Sequence, residues 1–233
     1  MPRRVVTVLV AMALAGCAGQ RRVIEDLPGP VMPPVVAEPL PPPPPPPSGK
    51  PRSIGPVTII VDAGHGGQDP GTRGVSPVYE KVVNLAIVQE LIRMLAEREA
   101  HVTATRTSDT YVSLPSRSLL ADRTRADLFV SIHSDYARRS SASGATLYIG
   151  RRNSPASTRA ADCIFAALRD AGIKCNGIRR KDFHVLVDHS RPAILIECGY
   201  MSNRSDSGRL NDPTYRTQLA EAITNGIARY FGK

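Results

Sequence analysis

Three strand-like apolar runs in this chain each end on a residue able to hold or serve a metal. Thr58-Ile-Ile-Val61 continues through Asp-Ala-Gly to His65, Leu128-Phe-Val-Ser-Ile132 ends on His133, and Ala193-Ile-Leu-Ile196 ends on Glu197. In an open α/β sheet, ligands bind outside the carboxyl ends of the strands. Two histidines and a glutamate delivered to that edge therefore read as one site assembled from distant sequence, and they point to a metal-assisted hydrolase.

The segments between these runs carry helical periodicity. A helix is expected over Lys81–Glu99, where Leu85, Val88, Leu91, Ile92 and Leu95 form an apolar stripe. A shorter one is expected over Ser116–Ala126. Ser154-Pro155 has the cap and first-turn signature of a helix that Gly172 stops, and Asp212-Pro213 opens the last helix. Further strands are expected at His101–Thr105, Ala145–Ile149 and Phe183–Val187. Strands alternating with helices give a three-layer α/β domain. Its sheet is open, mixed but mostly parallel, with about six strands and helices on both faces.

The front of the chain cannot join that domain. Of 21 prolines in 233 residues, seven form an unbroken run at Pro41 to Pro47, and proline lacks the amide donor that helices and central strands need. Residues 17–56 therefore read as a linker in polyproline II, rising about 3.1 Å per residue, and residues 57–233 as the folded domain. Residues 1–16 read as a signal segment: Arg3 and Arg4 precede an apolar stretch from Val5 to Gly16, shorter than the roughly 20 residues a spanning helix needs. The following Leu14-Ala15-Gly16-Cys17 resembles the bacterial lipobox. By that resemblance Cys17 is lipidated, and Ala18 in place of aspartate sends the protein to the outer membrane, facing the periplasm. The net charge of +9 favours anionic partners. Nucleic acid is not expected among them, because aromatics are 5% of the chain and no aromatic-rich basic motif occurs.

Catalytic zinc takes three protein ligands, usually imidazole or carboxylate, and leaves a position open. It activates water near neutral pH, while a separate carboxylate shuttles protons to the leaving amine. His65 and His133 suit the ligand role, since each follows an apolar strand into a small, polar turn. Spacing alone does not choose the third ligand among Glu80, Glu197 and a nearby aspartate. Glu80 stands just before a helix, where the dipole favours a carboxylate anyway. Glu197 ends an apolar run, where a carboxylate is costly unless partnered.

Several segments, in order, look like the motifs of one family: Val61-Asp-Ala-Gly-His65-Gly-Gly, Glu80-Lys-Val-Val-Asn84-Leu, Thr105-Arg106 with Asp109, Ser131-Ile-His133-Ser-Asp, and Pro192-Ala-Ile-Leu-Ile-Glu197-Cys-Gly-Tyr-Met-Ser-Asn203. They resemble the zinc-dependent N-acetylmuramoyl-L-alanine amidases of the cell-separation type. The resemblance implies that His65, Glu80 and His133 bind Zn²⁺ and that Glu197 is the catalytic acid/base. It also implies a substrate, the amide between N-acetylmuramic acid and L-alanine in peptidoglycan. An activator protein, unidentified, enters as a further partner. Asp62, three residues before His65, stands either to orient a ligand imidazole or as a turn carboxylate. Arg106 and Arg117 are expected in structural salt bridges, and His101, His184 and His189 in structural or surface roles. Cys198 and Arg204 depart from the family's pattern. Some relatives insert a helix between the second histidine and the catalytic glutamate that plugs the site; here two strands, a helix and short loops already use that stretch. A Cys163–Cys175 bridge stays open, and a packed Cys198 thiol completes the expectations. Two other classes stay open: a peptidoglycan-binding lipoprotein without catalysis, and a zinc peptidase acting on stem peptides.

Overall fold

The computed structural model describes residues 53–233 except Asn153. The expected signal segment, the lipidated Cys17 and the linker as far as residue 52 lie outside the described residues. Six strands and six helices follow in the order β1 (Thr58–Ala63), α1 (Glu80–Ala96), β2 (His101–Ala104), α2 (Leu114–Arg123), β3 (Leu128–Asp135), β4 (Ala145–Ile149), α3 (Pro155–Asp170), β5 (Cys175–Arg180), α4 (His184–Val187), β6 (Ala193–Tyr200), α5 (Arg204–Asn211) and α6 (Pro213–Tyr230). No helix among the described residues is long and apolar enough to cross a membrane.

The strands form one sheet in the order β2-β1-β3-β6-β4-β5. β1, β2, β3 and β6 run parallel, and β4 is antiparallel to β6 and parallel to β5. The pleat sends alternate residues to opposite faces. Ile59, Val61, Leu128, Val130, Ile132, Ile194 and Ile196 pack with the buried sides of α1, α3 and α6 into the larger core. Ile60, Phe129, Ala193 and Leu195 face the other way, onto Ala121 of α2 and Val185 and Leu186 of α4. Each of the larger side chains among them (Ile, Val, Leu and Phe), fully buried, stabilises the fold by about 1.5–3 kcal/mol. On this second face the two short helices cover less of the sheet than the three long ones do opposite. His133 and Glu197 are partners in the β3–β6 register, so both point to the thinly covered face.

Local chemistry sets the helix starts. Side chains of Ser113, Ser154 and Asp212 accept from backbone N–H groups of Ser116, Ser157 and Thr214, and each helix has proline in its first turn. Two findings differ from the sequence reading, and a third settles a pairing it left open. Phe183–Val187, expected as a strand, contains the single turn α4, while the strand not expected from the sequence is β5, Cys175–Arg180, a half-exposed edge strand. The domain packs ahead of Val57: Ile54 is buried in the main core and its N–H donates to Arg98 O at 2.9 Å. Cys163 and Cys175 are free thiols, not a bridge; Cys198 is a buried thiol packed in the main core.

Candidate metal centre

β1 ends by handing its backbone to a turn in which His65 adopts φ 63°, followed by Gly66 and Gly67, also at positive φ. A non-glycine residue there is uncommon and must be held. Arg117 holds it, donating from Nη2 to His65 O at 2.8 Å. Glu80 opens α1 as the chain folds back, its N–H donating to Thr72 O at 2.8 Å. His133 comes from β3 in its register with β6. Ligand atoms of His65, Glu80 and His133 all lie within 4.8 Å of one another.

Glu80 is the hub. Its Oε2 lies 3.2 Å from His65 Nε2 and its Oε1 lies 3.1 Å from His133 Nδ1. Its oxygens also accept from Thr72 N at 3.0 Å, Ser134 N at 3.0 Å and Asn84 Nδ2 at 3.2 Å. Burial would raise the Glu80 carboxyl's pKa, but the two imidazoles outweigh it and hold the group well below the usual carboxylate range. Burial likewise works against a charged His65, and hydrogen bonds to Glu80 and Asp69 overcome it, so His65 titrates above its ordinary value. His65 Nδ1 meets Asp69 Oδ2 at 2.8 Å. That contact fixes the ring's orientation and leaves Nε2 facing the cluster, the arrangement a metal-binding histidine needs.

Space is tight around the three groups. A Cβ on Gly64 would sit 2.3 Å from the His133 ring, and one on Gly71 would sit 2.7 Å from Glu80 Oε2 and from the His65 ring. Gly64→Ala must therefore push His133 out of register with its partners. It is expected to lower divalent-metal affinity by about 10–100-fold, read by metal titration of the purified protein, with the far-ultraviolet spectrum unchanged. Unaltered affinity would mean that the cluster tolerates such displacement.

Glu197 is not part of the cluster; it lines the same cleft with Gly64, His65 and His133. The cleft holds about 380 Å³, and Tyr111, Val112, Leu114, Phe183, Val185 and Leu195 make its walls largely apolar. Glu197 Oε2 is buried and has no hydrogen-bond partner among the described residues. Burial first, and then the carboxylates of Asp135 and Glu80, push its pKa well above the ordinary value. A carboxyl kept able to take and give a proton, with one oxygen unengaged, suits acid/base work.

Asp62 makes no hydrogen bond to either imidazole. Its Oδ1 takes a charged bond from Arg117 Nη1 and one from Thr105 Oγ1 at 2.7 Å, and its Oδ2 one from Ser131 Oγ at 2.6 Å. The pleat explains this: Asp62 points down onto the covered part of the face, where α2 brings Arg117. Of the two roles left open for Asp62, the contact to an imidazole is made instead by Asp69, four residues after His65. Arg117 is salt-bridged as expected, but Arg106 is not. It donates to four carbonyls, of Ala63, Gly64, Lys81 and Ser108. His101 is exposed on β2, and His189 lies tilted over Phe129 with ring centroids 5.1 Å apart. His184 pairs with Asp188 at 2.7 Å at the surface and also lines the cleft, a position the strand reading of this segment hid.

The sequence pattern of the N-acetylmuramoyl-L-alanine amidases (Amidase_3) matches residues 59–229. A probable cell wall amidase, LytH, of Staphylococcus epidermidis is 36% identical over 176 residues, covering 75% of this chain. The chain spans 58% of that relative's length. Among solved structures, the N-acetylmuramoyl-L-alanine amidase of Clostridium difficile 630 superposes with a TM-score of 0.74 at 34% identity, over 76% of this chain and 98% of its own. The CwlD amidase of Clostridioides difficile, solved in complex with the GerS lipoprotein, gives 0.71 at 31% identity over the same shares. With a match across nearly the whole folded domain, the chain belongs to the N-acetylmuramoyl-L-alanine amidase family.

Proposed function

We propose that this protein hydrolyses the amide between N-acetylmuramic acid and the L-alanine of the peptidoglycan stem peptide, with zinc held by His65, Glu80 and His133. The observation that carries the reading is a two-imidazole, one-carboxylate donor set facing, across one cleft, a buried carboxyl with an unengaged oxygen. The donor set fits zinc, which favours nitrogen and carboxylate ligands and keeps one position for substrate in catalytic sites. When bound, zinc would supply Lewis-acid polarisation of the scissile carbonyl and of an attacking water.

The chain's own groups do the rest. Asp69 keeps the His65 ring turned toward the cluster, and Asn84 and the Ser134 N–H orient Glu80. Glu197 takes the proton of the attacking water and returns it to the departing alanine nitrogen, which leaves as an amine. The apolar walls around it limit water entry and keep its carboxyl in a poorly solvated setting. Lipidation at Cys17 would hold the domain at the periplasmic face of the outer membrane on its proline-rich spacer. A protein partner belongs to the same proposal; the CwlD amidase, a relative, is solved in complex with the GerS lipoprotein.

The test is digestion of intact peptidoglycan by the purified chain, with products read by mass. Release of peptides beginning at L-alanine is expected, abolished by a chelator and restored by zinc. Binding without release would favour a wall-binding lipoprotein, and cuts inside the peptide would move the protein to the peptidases.

A further inference from the structure

A second cavity, of about 800 Å³, opens beside the reaction cleft. Arg151 and Arg152, just beyond β4, and Arg191, just before β6, line it with Ser190 and His189. Asp182 lines both cavities, and the turn α4 separates them: His184 and Val185 face the cleft, while Leu186 and Val187 face the second cavity. The two spaces therefore adjoin along one side of α4.

The charge in this cavity is one-sided. Asp182 is its single lining carboxylate, and that group's Oδ1 accepts the Arg151 N–H at 2.7 Å. Among the described residues no carboxylate lies within 4.0 Å of the guanidinium of Arg151, Arg152 or Arg191. Arg191 is anchored, donating to the Ala126 and Arg125 carbonyls. Arg151 and Arg152 are exposed. Guanidinium groups match carboxylates with paired, charge-assisted hydrogen bonds, and a concave setting concentrates their field.

We propose that this cavity is a subsite for a carboxylate on the peptide side of the scissile amide, bound by Arg151 and Arg152. The proposal rests on the amidase reading. Before the cut, the sugar side ends in the amide itself, whereas a stem peptide carries at least its terminal carboxylate. Of the two halves of the substrate, the peptide is the one whose charge matches this cavity. The arginines contribute binding and leave the bond-breaking groups untouched.

The experiment compares the zinc-loaded full chain with the Arg151→Gln, Arg152→Gln double variant, on an N-acetylmuramoyl peptide with free carboxylates and on its amidated counterpart. For the acid substrate KM is expected to rise about tenfold at unchanged kcat, with no change for the amidated one. An unchanged KM for the acid, or an equal rise for both substrates, overturns the subsite. If the parent protein cleaves neither these substrates nor intact peptidoglycan, the amidase reading fails by itself; where turnover is absent, fluorescence anisotropy of the labelled L-alanyl peptide decides the subsite. Tighter binding of the acid form than of the amidated form, with the difference lost in the double variant, supports it. Equal binding of the two forms overturns it.

Discussion

Glu197→Gln is expected to lower turnover of peptidoglycan by about 10²–10⁴-fold, the usual worth of a positioned acid/base, while zinc content stays that of the parent. The substitution keeps the side chain's volume and hydrogen-bonding reach and removes only its proton exchange. Because Glu197 lies outside the His65, Glu80 and His133 cluster, metal analysis separates this loss from loss of the ion. Folding is not expected to suffer. In the parent, burial and the nearby carboxylates of Asp135 and Glu80 disfavour the ionised form of Glu197, so a neutral amide relieves a cost that grows as pH rises toward its elevated pKa. The metal-free variant should therefore melt no lower than the metal-free parent at neutral pH. Full activity in the variant would remove Glu197 from the proton path. A lower melting temperature with little remaining zinc would instead show that its role is architectural.

Asp62→Asn is expected to cost about 3–5 kcal/mol of folding stability, the usual effect of removing one partner from a buried ion pair. For a domain of this size that lowers Tm by about 6–20 °C. Asp62 is 0% and Arg117 3% exposed, so neither water nor salt can compensate. Arg106 lies close enough for its cation to be disfavoured by burial and by Arg117, while Asp109 and then Asp62 work against both effects. Removing the Asp62 charge leaves the buried Arg117 guanidinium without its carboxylate partner and Arg106 with Asp109 as its compensating charge.

The pH dependence has a defined sign. Burial would raise the Asp62 pKa, but Arg117, Ser131 and Thr105 outweigh it and hold the group below its ordinary 3.8. A depressed carboxyl contributes stability that is complete above the unfolded value, near pH 4, and is lost as pH falls through the folded one. The gap in Tm between parent and variant should accordingly be constant from neutral pH to about 5 and shrink below 4. A gap that stays unchanged at pH 3 would assign the stabilisation to packing and hydrogen bonds rather than to charge.

How much of this was legible in the sequence follows from where each residue gets its structure. β1, β3 and β6 are buried on both faces, so they appear as continuous apolar runs whose ends can be read directly. The starts of α3 and α6 are written locally, in Ser154-Pro155 and Asp212-Pro213. β5 could not be found in this way. It is an edge strand with a glycine at its centre and arginines at its end, and its apolar content is low. The short apolar run at Phe183–Val187 fits strand or helix equally, and packing against α2 and β6 decided it. At the site, strand ends announce His65, His133 and Glu197. The proximity of Glu80 depends on the loop before α1 folding back onto Thr72 and Pro70, which no periodicity encodes. Asp69 carries only its spacing from His65 as a signal. The Asp62–Arg117 pair spans 55 positions and is visible only in three dimensions.

The two outer strands have a consequence for how this protein behaves when many copies are crowded together. An exposed strand edge is a template for further strands, and long, flat, apolar edges drive aggregation. β2 on one side has four residues, and β5 on the other ends in Arg179 and Arg180 with Lys181 next. One border is thus too short to recruit a neighbour, and the other repels a second copy by its charge. The sheet ends at six strands because its borders are unfit for extension, a property that lets the domain be held at high local density without polymerising.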